Sequence, residues 1–185
     1  MKVFFKKALL TQLFFVVTFN TYAVSVRDFW MNIPDSVMNG NVYKLRSVVD
    51  TLTDDFIQVT HSSHSSLQIK RLPSQTGDSL FCLVRTYGLE AKESEIALYR
   101  SDYSLIRSLD FKTGDIIMKP ADMDAPCFEK LMGKFVLSLV NASLSADDDT
   151  MILRVDIPFL FKEEKKELEV LDMQRIVKWN KETFK

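Results

Sequence analysis

Apolar and polar residues follow a β-type pattern through the middle third of the chain. Four β-rich segments, at residues 56–60, 67–72, 79–87 and 95–100, are separated by short polar stretches. Gly88 ends the third segment. Because the connections are short, we expect neighbouring strands to pair antiparallel.

A helical pattern precedes these strands. Pro34 and Asp35 are typical of a helix start. After Asn39-Gly40-Asn41, apolar residues recur at three- and four-residue spacing, which predicts a helix of about three turns lying on the sheet. These residues are Val42, Leu45, Val48, Val49 and Leu52.

The segment from Asp124 to Leu144 fits two structures. Its spacing permits one helix through Val140, but from Phe135 onward it also fits a strand. We favour a helix over residues 124–132, a joint at Gly133 and a long hairpin over residues 135–157, because a polar turn at 145–150 precedes a clear β segment.

Shorter elements complete the pattern. After a turn at residues 112–115, residues 116–118 form a short β run that Pro120 ends. The charged residues 162–169 predict a solvated helix, and residues 175–179 predict a last strand followed by a turn to Phe184. The predicted fold is α+β, a mainly antiparallel sheet with two or three short helices. Hairpins at 56–72 and 135–157 also raise the hypothesis of a weak two-fold duplication.

Residues 1–23 have the pattern of an export signal. Lys2, Lys6 and Lys7 form a positive start, residues 8–19 are mostly apolar, and Ala23 supplies a small residue at the cut. The apolar run is shorter than the roughly 20 residues needed to span a bilayer. We therefore expect a mature domain of residues 24–185 in the periplasm or at the cell surface, without a transmembrane segment. No cysteine adjoins the cut, so we do not expect a lipoprotein.

The charge of the mature chain narrows the choice of partners. Removal of the three leader lysines lowers Lys+Arg from 24 to 21 against 25 acidic residues, so the net charge changes from −1 to −4. This net negative charge argues against a nucleic-acid partner and against electrostatic binding to anionic lipid.

Several short segments, taken in order, resemble one known family. They are Ile33-Pro34-Asp35-Ser36, Leu67-x-Ile69-Lys70-x-Leu72-Pro73, Cys82-Leu83-Val84-x-Thr86-Tyr87-Gly88, Glu93-Ser94-x-Ile96, Ala142-Ser143-Leu144-Ser145-x-Asp147 and Lys178-Trp179-Asn180. This set is similar to a secreted Bacteroidales family known as domain of unknown function 3256. The resemblance implies a bacterial exported protein. It implies no activity and supplies no catalytic or binding residues.

The chain offers few residues for metal or cofactor chemistry. His61 and His64 lie in a predicted hairpin turn with only two ligands near in sequence, whereas zinc sites use three or four. Asp147-Asp148-Asp149 and Asp122-x-Asp124 lack the glycine and closing glutamate of a calcium loop, so a polar turn and a helix cap explain them better. We expect no cofactor.

Cys82 and Cys127 are the two cysteines of the chain. Export to an oxidising compartment permits a disulfide between them, which would close a large loop. Alternatively, Cys82 lies in the middle of a predicted strand and is a small apolar core residue. The sequence leaves both interpretations open.

Two apolar segments near predicted loops are candidate partner surfaces. One contains Phe29 and Trp30, and the other contains Phe159 and Phe161. Either pair exposes a binding patch or packs into the core, and core burial is the commoner outcome.

Our leading functional hypothesis is a non-enzymatic binding or accessory module that acts on a protein, peptide or other envelope component. The alternatives are an envelope hydrolase with a site assembled from distant residues and a purely structural envelope protein. A deep pocket with convergent polar groups would favour the enzyme, whereas an exposed aromatic patch would favour the binding module.

Overall fold

A six-stranded antiparallel meander forms the centre of the fold in the computed structural model, which describes residues 24–38 and 47–185. Each strand pairs with its neighbour in the chain, as the short connections require. The strands are β1 (Val48–Leu52), β2 (Phe56–Ser62), β3 (Ser65–Pro73), β4 (Ser79–Tyr87), β5 (Glu93–Tyr99) and β6 (Leu105–Leu109).

A second, three-stranded antiparallel sheet covers one face of the meander. Its order is β7 (Leu139–Leu144), β8 (Thr150–Asp156) and β9 (Gln174–Lys178). The described residues also form five α-helices and one 3₁₀ helix. These are α1 (Val26–Asn32), α2 (Asp35–Met38), α3 (Thr113–Ile116), α4 (Ala125–Met132), the 3₁₀ helix Gly133–Phe135 and α5 (Lys162–Leu168).

The two faces of the meander belong to two hydrophobic clusters, because side chains alternate along each strand. Cys82 and Val84 of β4 face the second sheet, whereas Phe81 and Leu83 face the N-terminal helix. The result is a layered arrangement in which α1 lies on one side of the meander and the second sheet lies on the other.

Helix α1 owes its position to a cap and an apolar stripe. The Ser25 hydroxyl accepts a hydrogen bond from the backbone N–H of Asp28 at 3.0 Å, which satisfies one free donor of the first turn. Val26, Phe29 and Ile33 recur at helical spacing and are buried against the meander.

Side chains of the meander accept hydrogen bonds from backbone N–H groups on the free edge of β7. The backbone N–H of Ala142 donates to the Ser94 hydroxyl at 3.0 Å, and that of Leu144 donates to Oε1 of Gln68 at 2.8 Å. Near the hairpin turn, Nζ of the buried Lys70 donates to the Ala146 carbonyl at 3.2 Å and lies 3.0 Å from the Asp55 carboxylate. We call these contacts the polar seam. The seam holds the second sheet on the meander and covers the edge of β7, which could otherwise pair with another strand.

Most of the predicted elements are confirmed. The fold is α+β and mainly antiparallel, the four central strands are present, and a helix precedes Gly133. The β7–β8 hairpin pairs from Leu139↔Asp156 to Leu144↔Met151, which excludes a helix through Val140. It is shorter than predicted because the chain is still helical over Gly133–Phe135.

Two predicted elements are wrong. Val48–Leu52 is not helical but forms β1, where pairing with β2 overrides the helical spacing. Val42 and Leu45 of that predicted helix lie outside the described residues. The predicted β run at 116–118 is also wrong, since Ile116 ends α3 and the next two residues lie in no strand. The Asp115 carboxylate accepts from the backbone N–H of Lys112 at 2.8 Å and so stabilises the start of α3.

Other features were not foreseen. Strand β6 was not predicted, and the described residues include five short helices instead of two or three. The two serine-containing hairpins exist, but they belong to different sheets with different neighbours, so the duplication stays a hypothesis. The export pattern at residues 1–23 lies outside the described residues.

Candidate interaction surface

Four large apolar side chains are highly exposed on the linkers that flank the β7–β8 hairpin. Val136 is 83% exposed, Leu137 66%, Phe159 92% and Phe161 73%. Val136 and Leu137 precede β7, and the two phenylalanines follow β8. We call these four residues the apolar surface.

Strand register places the two linkers that carry the apolar surface at the same end of the second sheet. Leu139 pairs with Asp156 at the open end of the β7–β8 hairpin, so the linker before β7 and the linker after β8 leave the sheet at the same end. An ion pair of 2.6 Å between Lys134 and Glu167 also ties the segment before β7 to α5. The hydrogen bond from Lys134 holds the pKa of Glu167 below its usual range.

The backbone directs the two phenylalanines outward. Phe159 has a φ of 64°, a left-handed conformation that is unusual for an aromatic residue. The backbone N–H of Phe161 donates to the Glu164 carboxylate at 3.0 Å and so begins α5. Between them, Leu160 packs against the core. The chain therefore partly buries Leu160 and exposes its two aromatic neighbours.

Phe29 and Trp30 do not form a surface, and that candidate is corrected. Both side chains are buried in the cluster between α1 and the meander. Phe29 stacks on Phe81 with 3.9 Å between ring centroids, and Trp30 lies 6.2 Å from the ring of His61. The apolar stripe of α1 places them there, because the meander would otherwise expose its own apolar face.

The two histidines have different surroundings. His61 lies on β2, and its Nδ1 atom is 2.6 Å from the Ser47 hydroxyl. His64 is exposed in the β2–β3 turn, with its Nδ1 atom 2.8 Å from the Ser63 hydroxyl. Within residues 24–38 and 47–185, no group of three or more His, Cys, Asp or Glu side chains is placed to hold a metal ion.

Both cysteines are free thiols, so the disulfide suggested for Cys82 and Cys127 is absent from this structure. Cys82 is fully buried on β4 between the two sheets, and burial raises the pKa of its thiol. Cys127 is exposed in the first turn of α4. The alternative interpretation of Cys82, a small apolar core residue, matches its position.

The acidic segments are a turn and a cap, as expected. The Asp148 carboxylate accepts from the backbone N–H and the hydroxyl of Thr150, at 3.1 and 2.5 Å. Asp124 accepts from the backbone N–H of Cys127 at 2.6 Å and caps α4.

The apolar surface contains two residues that sequence reasoning missed. The sequence analysis places Val136 and Leu137 in the long hairpin over residues 135–157, and apolar residues in a predicted strand do not indicate exposure. In the structure both residues precede β7. The one sequence feature that marks this linker is Gly133 at a helix end followed by a short apolar run, and it does not indicate which residues face solvent.

Across the described parts of the chain, no helix is long and apolar enough to span a bilayer.

Comparison with known proteins decides the family. The family described as "Protein of unknown function (DUF3256)" matches residues 40–184. The chain belongs to the DUF3256 family. This match confirms the resemblance. Three residues of the resembling segments make contacts between distant parts of this DUF3256 fold. Lys70 and Ser94 lie in the polar seam, and Trp179 Nε1 donates to the Pro73 carbonyl at 2.7 Å.

A solved structure supports the fold. It is the structure of a domain of an uncharacterized protein from Porphyromonas gingivalis W83, with a TM-score of 0.61 and 18% sequence identity. The match covers 76% of this chain and 79% of that chain. No curated protein matches this DUF3256 chain.

Proposed function

We propose that this DUF3256 protein is an exported, non-enzymatic module that binds a protein of the bacterial envelope through the apolar surface. The observation that carries the proposal is the exposure of Phe159 and Phe161 on one linker, and of Val136 and Leu137 on the linker that leaves the sheet at the same end. Clustered exposed apolar residues mark interaction sites more often than isolated ones do.

The energetics of the apolar surface favour a partner. Burial of one large apolar side chain contributes about 1.5–3 kcal/mol, so a partner that covers both phenylalanines gains a substantial part of a binding free energy. Aromatic side chains buried at the centre of an interface are common hot spots. The left-handed backbone at Phe159 is a local strain that the rest of the fold sustains, and strain of this kind is concentrated at functional sites.

A protein partner fits this surface better than an anionic lipid surface. The polar neighbours of the two phenylalanines carry both signs of charge, with Lys162 next to Glu163 and Lys134 paired with Glu167. The net charge of −4 expected for residues 24–185 would also oppose approach to anionic lipid. A rim of mixed charge around an apolar centre is typical of protein interfaces.

Export rests on the leader pattern of residues 1–23. The positive start, the apolar run and Ala23 support secretion to the periplasm or cell surface. The envelope is therefore the compartment in which we propose that the partner is found.

Capture from envelope extract tests the proposal. Tagged wild-type protein is compared with Phe159→Ser/Phe161→Ser and with the control Leu52→Ser/Leu105→Ser, which removes exposed apolar residues from the two edge strands of the meander. We expect one defined protein to be retained by the wild type and the control and lost by the first variant. Equal retention by all three would contradict the proposal, as would concentration-dependent dimers of the purified protein that Phe159→Ser/Phe161→Ser abolishes.

A further inference from the structure

A second candidate site lies at the opposite end of the meander from the apolar surface. The β3–β4 turn, the β5–β6 turn and the turn after β9 enclose an open groove of about 890 Å³. Its volume lies within the roughly 300–1,000 Å³ of small-molecule sites. Its lining includes the half-buried side chain of Leu80 on β4 and the exposed side chain of Ile106 on β6.

Hydrogen-bond donors in this groove are available to a ligand. Arg100, Arg107 and Lys181 line it. Within the described residues, the Arg100 guanidinium and the Lys181 ammonium donate no hydrogen bond, while Arg107 donates from Nη2 to the Glu182 carbonyl. A guanidinium has five N–H donors, so Arg107 is held in place with donors to spare.

The acids of the same groove are already engaged. Asp78 accepts from the Thr76 hydroxyl at 3.1 Å, and Glu182 lies 3.5 Å from the Gln75 amide nitrogen. Asp102 accepts from the hydroxyl and the backbone N–H of Ser104 at 2.6 and 2.9 Å. The hydroxyl bond, with a smaller contribution from the Arg100 charge, holds the pKa of Asp102 below its usual range. The groove therefore combines two cationic side chains that make no hydrogen bond among the described residues with three carboxylates that each already have a hydrogen-bond partner.

We propose that this groove binds an organic carboxylate, with the carboxylate on the Arg100 and Arg107 guanidiniums and the hydrocarbon on Leu80 and Ile106. Guanidinium groups match the planar carboxylate and bind it with two parallel hydrogen bonds. The charges of the three basic and three acidic lining side chains balance, and the expected cleavage after Ala23 would add the α-ammonium group of Val24, which also lines the groove. This single positive charge favours a singly charged carboxylate over a phosphate dianion.

A titration of the purified protein followed by backbone NMR tests this site. Hexanoate is the probe, with acetate, 1-hexanol and inorganic phosphate as comparisons. We expect saturable shifts at residues 76–79 and 100–107 with hexanoate, and at least tenfold weaker binding of the other three. Arg100→Gln removes a side chain that makes no hydrogen bond among the described residues, so the fold is kept, and hexanoate binding should weaken about tenfold.

The control is Arg154→Gln, an exposed arginine of β8 in the other sheet, which should leave hexanoate binding unchanged. Equal loss in both arginine variants, absence of saturable shifts, or equal binding of phosphate and hexanoate would overturn the proposal. Phe159→Ser/Phe161→Ser should bind hexanoate like the wild type, so the groove and the apolar surface are tested separately.

Discussion

Oε1 of Gln68 accepts the backbone N–H of Leu144 at 2.8 Å, across 76 residues of sequence. Gln68 lies on β3 of the meander, and Leu144 lies on the edge strand of the second sheet. The side-chain amide nitrogen of Gln68 also lies 2.9 Å from Oε1 of Gln58 on β2. One side chain thus joins three strands of two sheets and occupies an edge position at which another chain could otherwise pair.

Gln68→Leu should destabilise the protein. The change leaves the backbone N–H of Leu144 without its acceptor in a partly buried position, which costs about 1–3 kcal/mol. Urea denaturation measures the loss. Gln75→Leu is the matched control, because its amide makes only a 3.5 Å contact at the surface, and it should change the unfolding free energy by less than about 0.5 kcal/mol. Equal stability of the two variants would show that the seam is not a structural contact.

Sequence reasoning recovered the parts of the fold in which local signals agree. Residues 79–87 were predicted as a strand with its observed bounds, because β-rich residues end at Gly88, whose φ of 117° suits glycine alone. The helix predicted over Val48–Leu52 is wrong because the apolar residues fit helical spacing, whereas the segment forms a hairpin with β2, which follows after a short turn.

The candidate surface was only half predictable, and the reason is tertiary. Phe29-Trp30 and Phe159-Phe161 are equally apolar in sequence, yet the meander covers the first pair and leaves the second exposed. Whether an apolar pair is covered depends on elements distant in sequence, which local patterns do not contain. The stripe of Val26, Phe29 and Ile33 was the one available sign that α1 is buried.

The two thiols should differ in reactivity. Cys127 is exposed and should react at once with Ellman's reagent in the native protein, whereas Cys82 is fully buried with a raised pKa and should react only on unfolding. Protein from an oxidising compartment is the sample, without added reductant. One thiol per chain before denaturation and two afterwards is the expected count. No reactive thiol until a reductant is added would instead show that the two cysteines are bonded.

The β7–β8 turn should contribute to stability at neutral pH and lose that contribution in acid. The hydroxyl of Thr150 is the main reason that the pKa of Asp148 lies below its ordinary value of 3.8. A lowered folded-state pKa stabilises the protein above the unfolded value, and this stability disappears as the pH falls through the folded value. Asp148→Asn should therefore be slightly less stable than the wild type at pH 7, and the gap should shrink as the pH falls below 3.8.

Urea midpoints across this pH range provide the measurement for Asp148→Asn. Asp147→Asn is the control, since the Asp147 side chain makes no hydrogen bond in the described part of the chain. A gap for Asp148→Asn that stays constant with pH, or one matched by Asp147→Asn, would contradict the assigned role.

Phe159 should be replaceable with a gain in stability. Asparagine tolerates the left-handed conformation better than phenylalanine does, so Phe159→Asn should stabilise the fold by about 0.5–1 kcal/mol. Val136→Asn is the control, because Val136 is also highly exposed but has an ordinary right-handed φ of −59°, and this change should be neutral. Thermal unfolding of the two single variants checks the difference. Destabilisation by Phe159→Asn would indicate that this ring contributes to the folded state itself.

Photo-crosslinking at Phe159 in intact cells tests the central claim most directly. A photoreactive phenylalanine analogue is placed at Phe159 and, for comparison, at Leu105, an exposed residue at the far end of the meander. If the apolar surface binds an envelope protein, irradiation should give one defined adduct from position 159, lost when Phe161 is changed to Ser, and no such adduct from position 105. The same adducts from both positions, or none from position 159, would contradict the account.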